Sequence, residues 1–310
     1  MRNAIILNRL SIENANAVAG LTWGFPAITH FLGYVHALTR KLETTHGLRL
    51  EGCGVICHQH QVHAYTSGRD YQFALTRNPL TREGKTASFN EEGRMHLTVS
   101  LVIECHGEIP NGDIGMRELA QHLQHLCQTH KLAGGTITSI HKTHVCSMDH
   151  LKSLLYMLMP GFVLRDRSAW LDAHYQTLKH TQPDAEMIDA WLDFAALKMV
   201  AQEVESPADD ANWRYEKKPQ HGYLVPLMTG WQRISPLYAA GQVTNARDSE
   251  TPFCFAEAVY GIGEWCGVHR IKEPDDIFWR YHATETGYYC RGQALPDADE
   301  EYVSDYTDIF

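Results

Sequence analysis

Long hydrophobic runs are missing from this chain: the longest apolar stretch, Leu154–Leu164, is interrupted by Pro160 and Gly161 and falls well short of the roughly 20 residues a membrane span needs. An export signal is missing too, because Ala4–Leu7 meets Asn8-Arg9 before a signal-type apolar region can develop. Together these absences point to a cytoplasmic protein without membrane contact. The eight cysteines show no CxxC-type spacing. In a long chain with no export signal they read as reduced thiols, not as a disulfide framework. Neither G-x-S-x-G nor a Walker loop occurs, and Gly261-Ile262-Gly263-Glu264 is too short to cradle a phosphate. There is no internal repeat of fixed period and no low-complexity tract.

What remains is an ordinary soluble composition, 44% hydrophobic and 21% charged over 310 residues, which excludes a disordered tail, a collagen and a coiled coil. That length suggests about two domains. The net charge is −10, which argues at first against nucleic acid. The acidity is segregated, however. Pro296–Phe310 holds Asp297, Asp299, Glu300, Glu301, Asp305 and Asp308 and no base, so the rest of the chain carries −4, and the first fifty residues carry +3. A local basic groove is compatible with that distribution.

The nineteen histidines invite a metal reading. The sharpest cluster is Cys53-x3-Cys57-His58-x-His60-x2-His63, but on a strand Cys57 faces away from His58 and His60, and His141-x2-His144-x-Cys146 lacks a paired knuckle. Core thiols and surface histidines are the simpler expectation, with no metal and no cofactor. A ribonuclease needs little more than an acid–base histidine and a positioned 2′-hydroxyl. His30 and His36 are the candidates, but their six-residue spacing puts them on different faces of a helix.

Hydrophobic periodicity predicts a buried strand over Ala4–Leu10, a loop to Phe25, and a helix opened by Pro26 and ended at Gly47. It then predicts a strand over Arg49–Tyr65, an insert at 66–94, a strand over His96–Cys105, a helix over Met116–His130 and a strand from Gly134 to Val145. That order, β-α-β-(insert)-β-α-β over 1–147, is the α+β, ferredoxin-like pattern also used by RNA recognition motifs. A second α+β half is expected over 148–293, with a helix at Asp184–Val204, a connector at Ser206–Gln220 and strands or short helices near Tyr223–Leu227, Phe253–Tyr260 and Tyr288–Arg291. The acidic segment 294–310 reads as a mobile tail.

Binding chemistry concentrates in three places. The loop Asn14–Phe25 offers Asn14 and Asn16 for base edges, and Trp23 and Phe25 for stacking or for bracing the helix entry. The insert carries Arg77, Arg82, Lys85 and Arg94 around Phe89, against Glu83, Glu91 and Glu92. Long structured excursions of this kind tend to be functional. The third place is Gly230–Tyr238 with Asn245–Asp248, where Gln232, Ser235, Asn245 and Arg247 suit base and phosphate contacts.

In these segments the chain resembles a known family. Asn14-Ala15-Asn16-Ala17, Leu21-Thr22-Trp23-Gly24-Phe25-Pro26, Gly33–Leu38, Phe73–Leu80, Glu91–Met95, Ile234–Tyr238, Asn245–Asp248, Phe255–Tyr260 and Gly263-Glu264-Trp265 are similar to the 5′-handle-binding subunits of type I-F CRISPR surveillance complexes. These are the second Csy subunits, within the RAMP superfamily. The resemblance implies a ferredoxin-like RAMP palm with an inserted thumb hairpin. It also implies a non-catalytic subunit that holds the 5′ handle of the CRISPR RNA, pairs with the large subunit as a heterodimer and docks on the backbone subunit. Target double-stranded DNA beside the protospacer-adjacent motif is a further partner that it leaves open. A RAMP-type metal-independent endoribonuclease and a protein-bridging adaptor with little RNA contact are the competing classes.

Overall fold

The apolar run at Ala4–Leu10 lies within a longer strand, β1 (Arg2–Asn16), whose side chains alternate between two buried layers. The structure is a computed structural model and describes residues 2–202 and 212–292. After β1 come a miniature ribbon of β2 (Val18–Ala19) and β3 (Thr22–Trp23) and the helix α1 (Ile28–His46). Ile28, Phe31, Leu32, Val35, Leu38 and Leu42 all turn into the core, as three- and four-residue spacing requires. Gly47, at φ 64°, takes the left-handed conformation that closes the helix, and its N–H donates to the Glu43 carbonyl at 3.1 Å.

The chain continues through β4 (Arg49–Val62), then β5 (Ala64–Ser67), β6 (Asp70–Phe73), β7 (Leu75–Arg77) and β8 (Phe89–Glu91). It returns along β9 (Arg94–His106), α2 (Gly112–Leu126), β10 (Lys131–Leu132) and β11 (Gly135–Ser147). The insert is thus two short ribbons in series, β5–β6 and β7–β8, where a single hairpin was expected. Ala74 separates the two ribbons, its N–H donating to the His63 carbonyl at 2.9 Å as the last rung beside β5–β6.

The second half contains α3 (Leu151–Leu155), β12 (Phe162–Asp166), α4 (Ser168–Thr181), α5 (Met187–Ala195), β13 (Met199–Ala201) and β14 (Trp213–Tyr215). It ends with β15 (Tyr223–Arg233), β16 (Ala256–Gly267), β17 (Phe278–Thr284) and β18 (Gly287–Arg291). Here the single helix expected over Asp184–Val204 is corrected. Helix α5 stops at Ala195, Ala196 is extended, and Val200 pairs with Arg214 in a ribbon. Beyond Ala195 the apolar stripe has nothing to bury against, and Leu197 is exposed. Helix α4 and strand β17 were not anticipated. The tail at 294–310 and part of the connector lie outside the described residues.

The architecture is mixed α/β around one large antiparallel sheet of ten strands, in the order β10-β11-β1-β9-β4-β12-β16-β15-β18-β17. Strand β4 serves two partners on one edge: Ile56 and Cys57 pair with β12, while Cys53 and Gly54 pair with β17. The strands β12-β16-β15-β18-β17 therefore return to β4 and close a ring. Helix α1 packs over one layer, with Ile5, Leu7, Val99, Leu101 and Ile103 beneath. Leu151, Leu155 and Leu158 cover the other layer over Ala4, Ile6, Ile56 and Val102. Helices α4 and α5 pack on β15 and β16 through Leu171, Phe194, Leu224 and Ile262. All eight cysteines are free; burial raises the thiol of Cys53 and pushes those of Cys105 and Cys127 to about 11. No described helix is long and apolar enough to cross a membrane.

Candidate nucleic-acid interface

The segment between β1 and α1 is held from three sides. Its base is fixed by Asn16, whose Nδ2 donates to the Val18 carbonyl at 2.8 Å and to His30 Nε2 at 3.3 Å, while its Oδ1 accepts from the Val18 N–H. Its middle is fixed by Tyr260, whose hydroxyl accepts from the Leu21 N–H at 2.7 Å. Gly20, at φ 62°, leaves that hydroxyl the space a Cβ would fill. Its end is fixed by Phe25, stacked on Phe31 at 5.7 Å and edge-on to Trp265 at 4.9 Å. Phe25 is therefore a brace. Replacing it with alanine is expected to cost about 2 kcal/mol, roughly half of a full core truncation, visible as a lowered thermal midpoint, with Phe25→Leu restoring most of it.

Trp23 is different. It is 47% exposed, and its ring meets Tyr71 and Phe73 of the insert, each at 5.5 Å. Tyr71 is itself 66% exposed. The two insert rings stand two residues apart on β6, and the contacts of Trp23 with both make a continuous aromatic shelf. Close packing at its root needs Gly93, where a Cβ would run into Val18 beside the Phe73 ring. The shelf was not read from the sequence, because neither Tyr71 nor Phe73 was singled out. The signal available was their period-two spacing in a hairpin whose partner strand carries Tyr65.

Next to the shelf, Asn14 sits in a β-bulge at φ 57° with its N–H on His96 Nδ1 at 3.3 Å. That bond fixes the His96 ring, which lies edge-on to His63 at 4.2 Å. Burial, then the neighbouring His96, lowers the pKa of His63. Arg94 is spent locally: its guanidinium grips Glu92 at 2.9 and 2.7 Å and the Asn14 carbonyl at 3.4 Å. The Asn14 side chain is left facing solvent.

Further out, Arg77 lies over the Phe89 ring at 4.1 Å, which holds the guanidinium in place without neutralising it. Mutual bonds between Thr81 and Lys85 close the tip turn and present Arg82 and Lys85 outward. Among the described residues none of these three cations has an ion-pair partner.

The third segment is tied down by Ser235, whose Oγ accepts from the Phe255 N–H at 2.9 Å, and by paired backbone bonds between Tyr238 and Phe253. Phe255 packs edge-on to both Tyr238 and Phe253. Ser235 is thus structural. Gln232 is exposed but stands across the ladder from Glu257. Asn245, at φ 61°, makes a turn, and Arg247 is exposed.

The structure therefore joins the first loop to the root of the insert, and the Tyr260 and Trp265 contacts seat that loop on β16. Of the twelve residues chosen from sequence, Asn14, Trp23, Arg77, Arg82, Lys85, Gln232, Asn245 and Arg247 reach solvent, while Asn16, Phe25, Arg94 and Ser235 brace the segments that carry them. The cysteine–histidine run at 53–63 is dispersed: Cys53 is buried, and His58 bonds Ser100 Oγ and the Pro160 carbonyl, both at 2.7 Å.

Exposed rings, uncompensated cations and loop amides together suit a single strand of nucleic acid, whose phosphates take the charges and whose bases take the rings. A family model described as "CRISPR-associated protein (Cas_Csy2)" matches residues 5–290. A protein of Pseudomonas aeruginosa (strain UCBPP-PA14) named CRISPR-associated protein Csy2 is 38% identical over 301 residues, covering 90% of this chain and 91% of that protein.

Proposed function

Because the chain belongs to the Csy2 family of CRISPR-associated proteins, the second Csy subunit of type I-F systems, we propose that it is a clamp on the 5′ handle of the CRISPR RNA. In this reading it grips the RNA without cutting it and caps the tail of the interference complex. The large subunit is its heterodimer partner and the backbone subunit its neighbour. One observation carries the reading: the shelf of exposed Trp23 and Tyr71 on half-buried Phe73, at the root of a ribbon whose Arg77, Arg82 and Lys85 have no acidic partner among the described residues.

The palm is read as ferredoxin-like, and the order β11-β1-β9-β4 with one helix after β1 and another after β9 supports that. The two ribbons rise from between β4 and β9, where a thumb inserted in such a palm belongs. Bases of the handle lie on the shelf, their phosphates on the ribbon cations, and Asn14 reads an exposed base edge. Loop amides left free by the bracing bonds supply the remaining contacts.

Charge makes the clamp salt-sensitive. Substituting Arg77, Arg82 and Lys85 together with serine is expected to flatten the log–log dependence of RNA affinity on salt by about 2, since each phosphate contact to a single strand contributes about 0.7. Filter binding of handle RNA across a salt series measures this, and an unchanged slope would remove the ribbon from the interface. The same preparation incubated with repeat RNA separates a clamp from a nuclease: retention of intact RNA supports the clamp, and accumulating product refutes it.

A further inference from the structure

Where β15 runs out beside the third segment, the sheet carries rings that neither the shelf nor the insert uses. Across β15, β18 and β17, Trp231 faces Tyr288 and Tyr288 faces Ala283, while the Tyr281 ring lies 5.2 Å from that of Tyr288. Residues opposite each other on an antiparallel ladder share a face, so the three rings form one row. On the other flank β16 sets Ala258 opposite Trp231. Alanines thus border the row on both sides and wall nothing in: Trp231 is 39% and Tyr281 49% exposed. Two glycines press the strands together beneath it. A Cβ on Gly230 would strike the Tyr288 carbonyl, and one on Gly287 the Trp231 carbonyl.

On the paired positions of this face, charge has one sign. Arg233 stands two residues from Trp231, hence on the same face, opposite Ala256. It is half-buried and makes no ion pair among the described residues. Glu257 alternates to the other face, where it stands opposite Gln232. The exposed Glu285 belongs to the turn between β17 and β18, off the paired positions. Burial, then Cys290 and Tyr281, pushes the Tyr288 hydroxyl up to about 12, so that ring brings no negative charge. A guanidinium set among neutral rings and alanines lacks an anion. An apolar protein surface laid over it would bury the charge unpaired, which is costly, whereas a phosphate neutralises it.

We propose that this row is a second stacking subsite for unpaired nucleotides, with bases on Trp231, Tyr288 and Tyr281 and a phosphate on Arg233. The inference rests on the clamp reading and extends it: the occupant is a further stretch of the RNA that lies on the shelf. Continuity supports this. Ala258, at the end of the row, packs on the cluster of Ala19, Ala27 and Met228. Ala19 and Ala27 bracket in sequence the loop that carries Trp23. Shelf and row are therefore joined through one loop, and a single strand can serve both. The make-up is also repeated, since each place combines exposed rings with a cation that no acid neutralises.

Fluorescence anisotropy on the full chain tests this with labelled 5′-handle RNA and a nested series of single-stranded RNAs shortened from it. Trp231→Ala is expected to weaken binding of the complete handle about tenfold or more. Trp231→Phe keeps a ring and should bind nearly as the parent does. Arg233→Ser removes a side chain that bonds nothing among the described residues, so it tests the site without burdening the fold; it should flatten the log–log salt dependence by about 0.7. The shortest RNA whose binding still falls when Trp23 and Tyr71 are both alanine should feel neither change, because it cannot span both places. If Trp231→Ala and Arg233→Ser bind the handle as the parent does while the Trp23, Tyr71 variant loses it, the second subsite is overturned and the clamp stands. Equal losses on the shortest RNA and the complete handle also overturn it, since the row is then no separate place. If the Trp23, Tyr71 variant and both row variants all bind as the parent does, the clamp reading falls and the subsite with it.

Discussion

Replacing Trp23 and Tyr71 together by alanine is expected to weaken binding of a 5′-handle RNA by about tenfold or more, because stacking contributes about 1–3 kcal/mol per base. Trp23 is 47% and Tyr71 66% exposed and neither belongs to a core cluster, so their loss removes little core. The packed residues beneath, Phe25 against Phe31 and Trp265, are untouched by the change. Thermal stability should therefore hold while affinity falls. Trp23→Phe should keep most of the affinity, since it preserves a ring face where the strand lies. The conservative variant also separates stacking from mere bulk: Trp23→Leu fills space but offers no π surface and should behave like alanine. Fluorescence anisotropy with labelled handle RNA measures all four proteins. If the double alanine variant binds as the parent does, the shelf is not where bases rest, and the RNA path must be sought elsewhere.

The second large effect is on stability. Glu104 is only 2% exposed, yet its carboxylate accepts from Arg2, from Arg280 Nε and Nη2 at 2.8 Å each and from the Gly52 N–H at 3.1 Å. Gly52 is required there, because a Cβ would occupy the position of that carboxylate. Glu104→Ala leaves the two half-buried guanidinium groups with exposed Asp275 as their shared counter-charge. Breaking an ion-pair arrangement whose carboxylate is buried costs about 3 kcal/mol, the lower end of the buried range because the arginines keep some water. The midpoint of thermal unfolding should drop on the order of 10 °C.

The pH dependence has a definite sign. Burial alone would push the Glu104 pKa up, but the bonds from Arg280 and Arg2 outweigh it and hold the carboxyl below its ordinary value. A depressed carboxyl contributes stability that is complete above the ordinary carboxylate range and is lost as pH falls through the lower, folded-state value. The parent should thus lose stability steeply in acid, and Glu104→Ala should lose less over the same interval. Midpoints taken from neutral pH downward for both proteins check this; parallel curves would show that the carboxyl is not the titrating group.

Much of the first 147 residues was legible. The core stripe of α1, the alternation in β9 and the glycine at Gly47 are local signals, and local signals survive into the fold. The insert was located to within a few residues because charge, glycine and proline interrupt the hydrophobic pattern there. The second half was harder to read. Tyr288–Arg291 was expected as a strand or a short helix, while β17 was passed over, although Phe278 and Trp279 are fully buried. Their burial depends on pairing with Cys53 and Gly54, contacts more than two hundred residues apart that no window along the chain reports. Helix α4 does carry Trp170, Leu171, Tyr175 and Leu178 at helical spacing, a signal present but weaker than that of Asp184–Val204, whose stripe ran on past the point where anything could cover it.

The site shows the same division. Which residue types gather at the first loop was readable, but which of them face water was not. Asn16 and Arg94 look like ligand contacts by composition and turn out to be committed to neighbours two residues away. A sequence shows what chemistry a segment holds, and only packing decides how much of it is left over.

The return of the ring to β4 has a bearing on how the molecule is made. A ribosome delivers β4 early and β17 nearly last, so the edge at Cys53 and Gly54 stays unsatisfied until almost the whole polypeptide has emerged. Long-range closure of that kind slows folding and lengthens exposure of sticky intermediates. A nascent chain halted midway would present an open β seam to its neighbours on the same messenger, which makes prompt completion, more than intrinsic robustness, the condition for a usable yield.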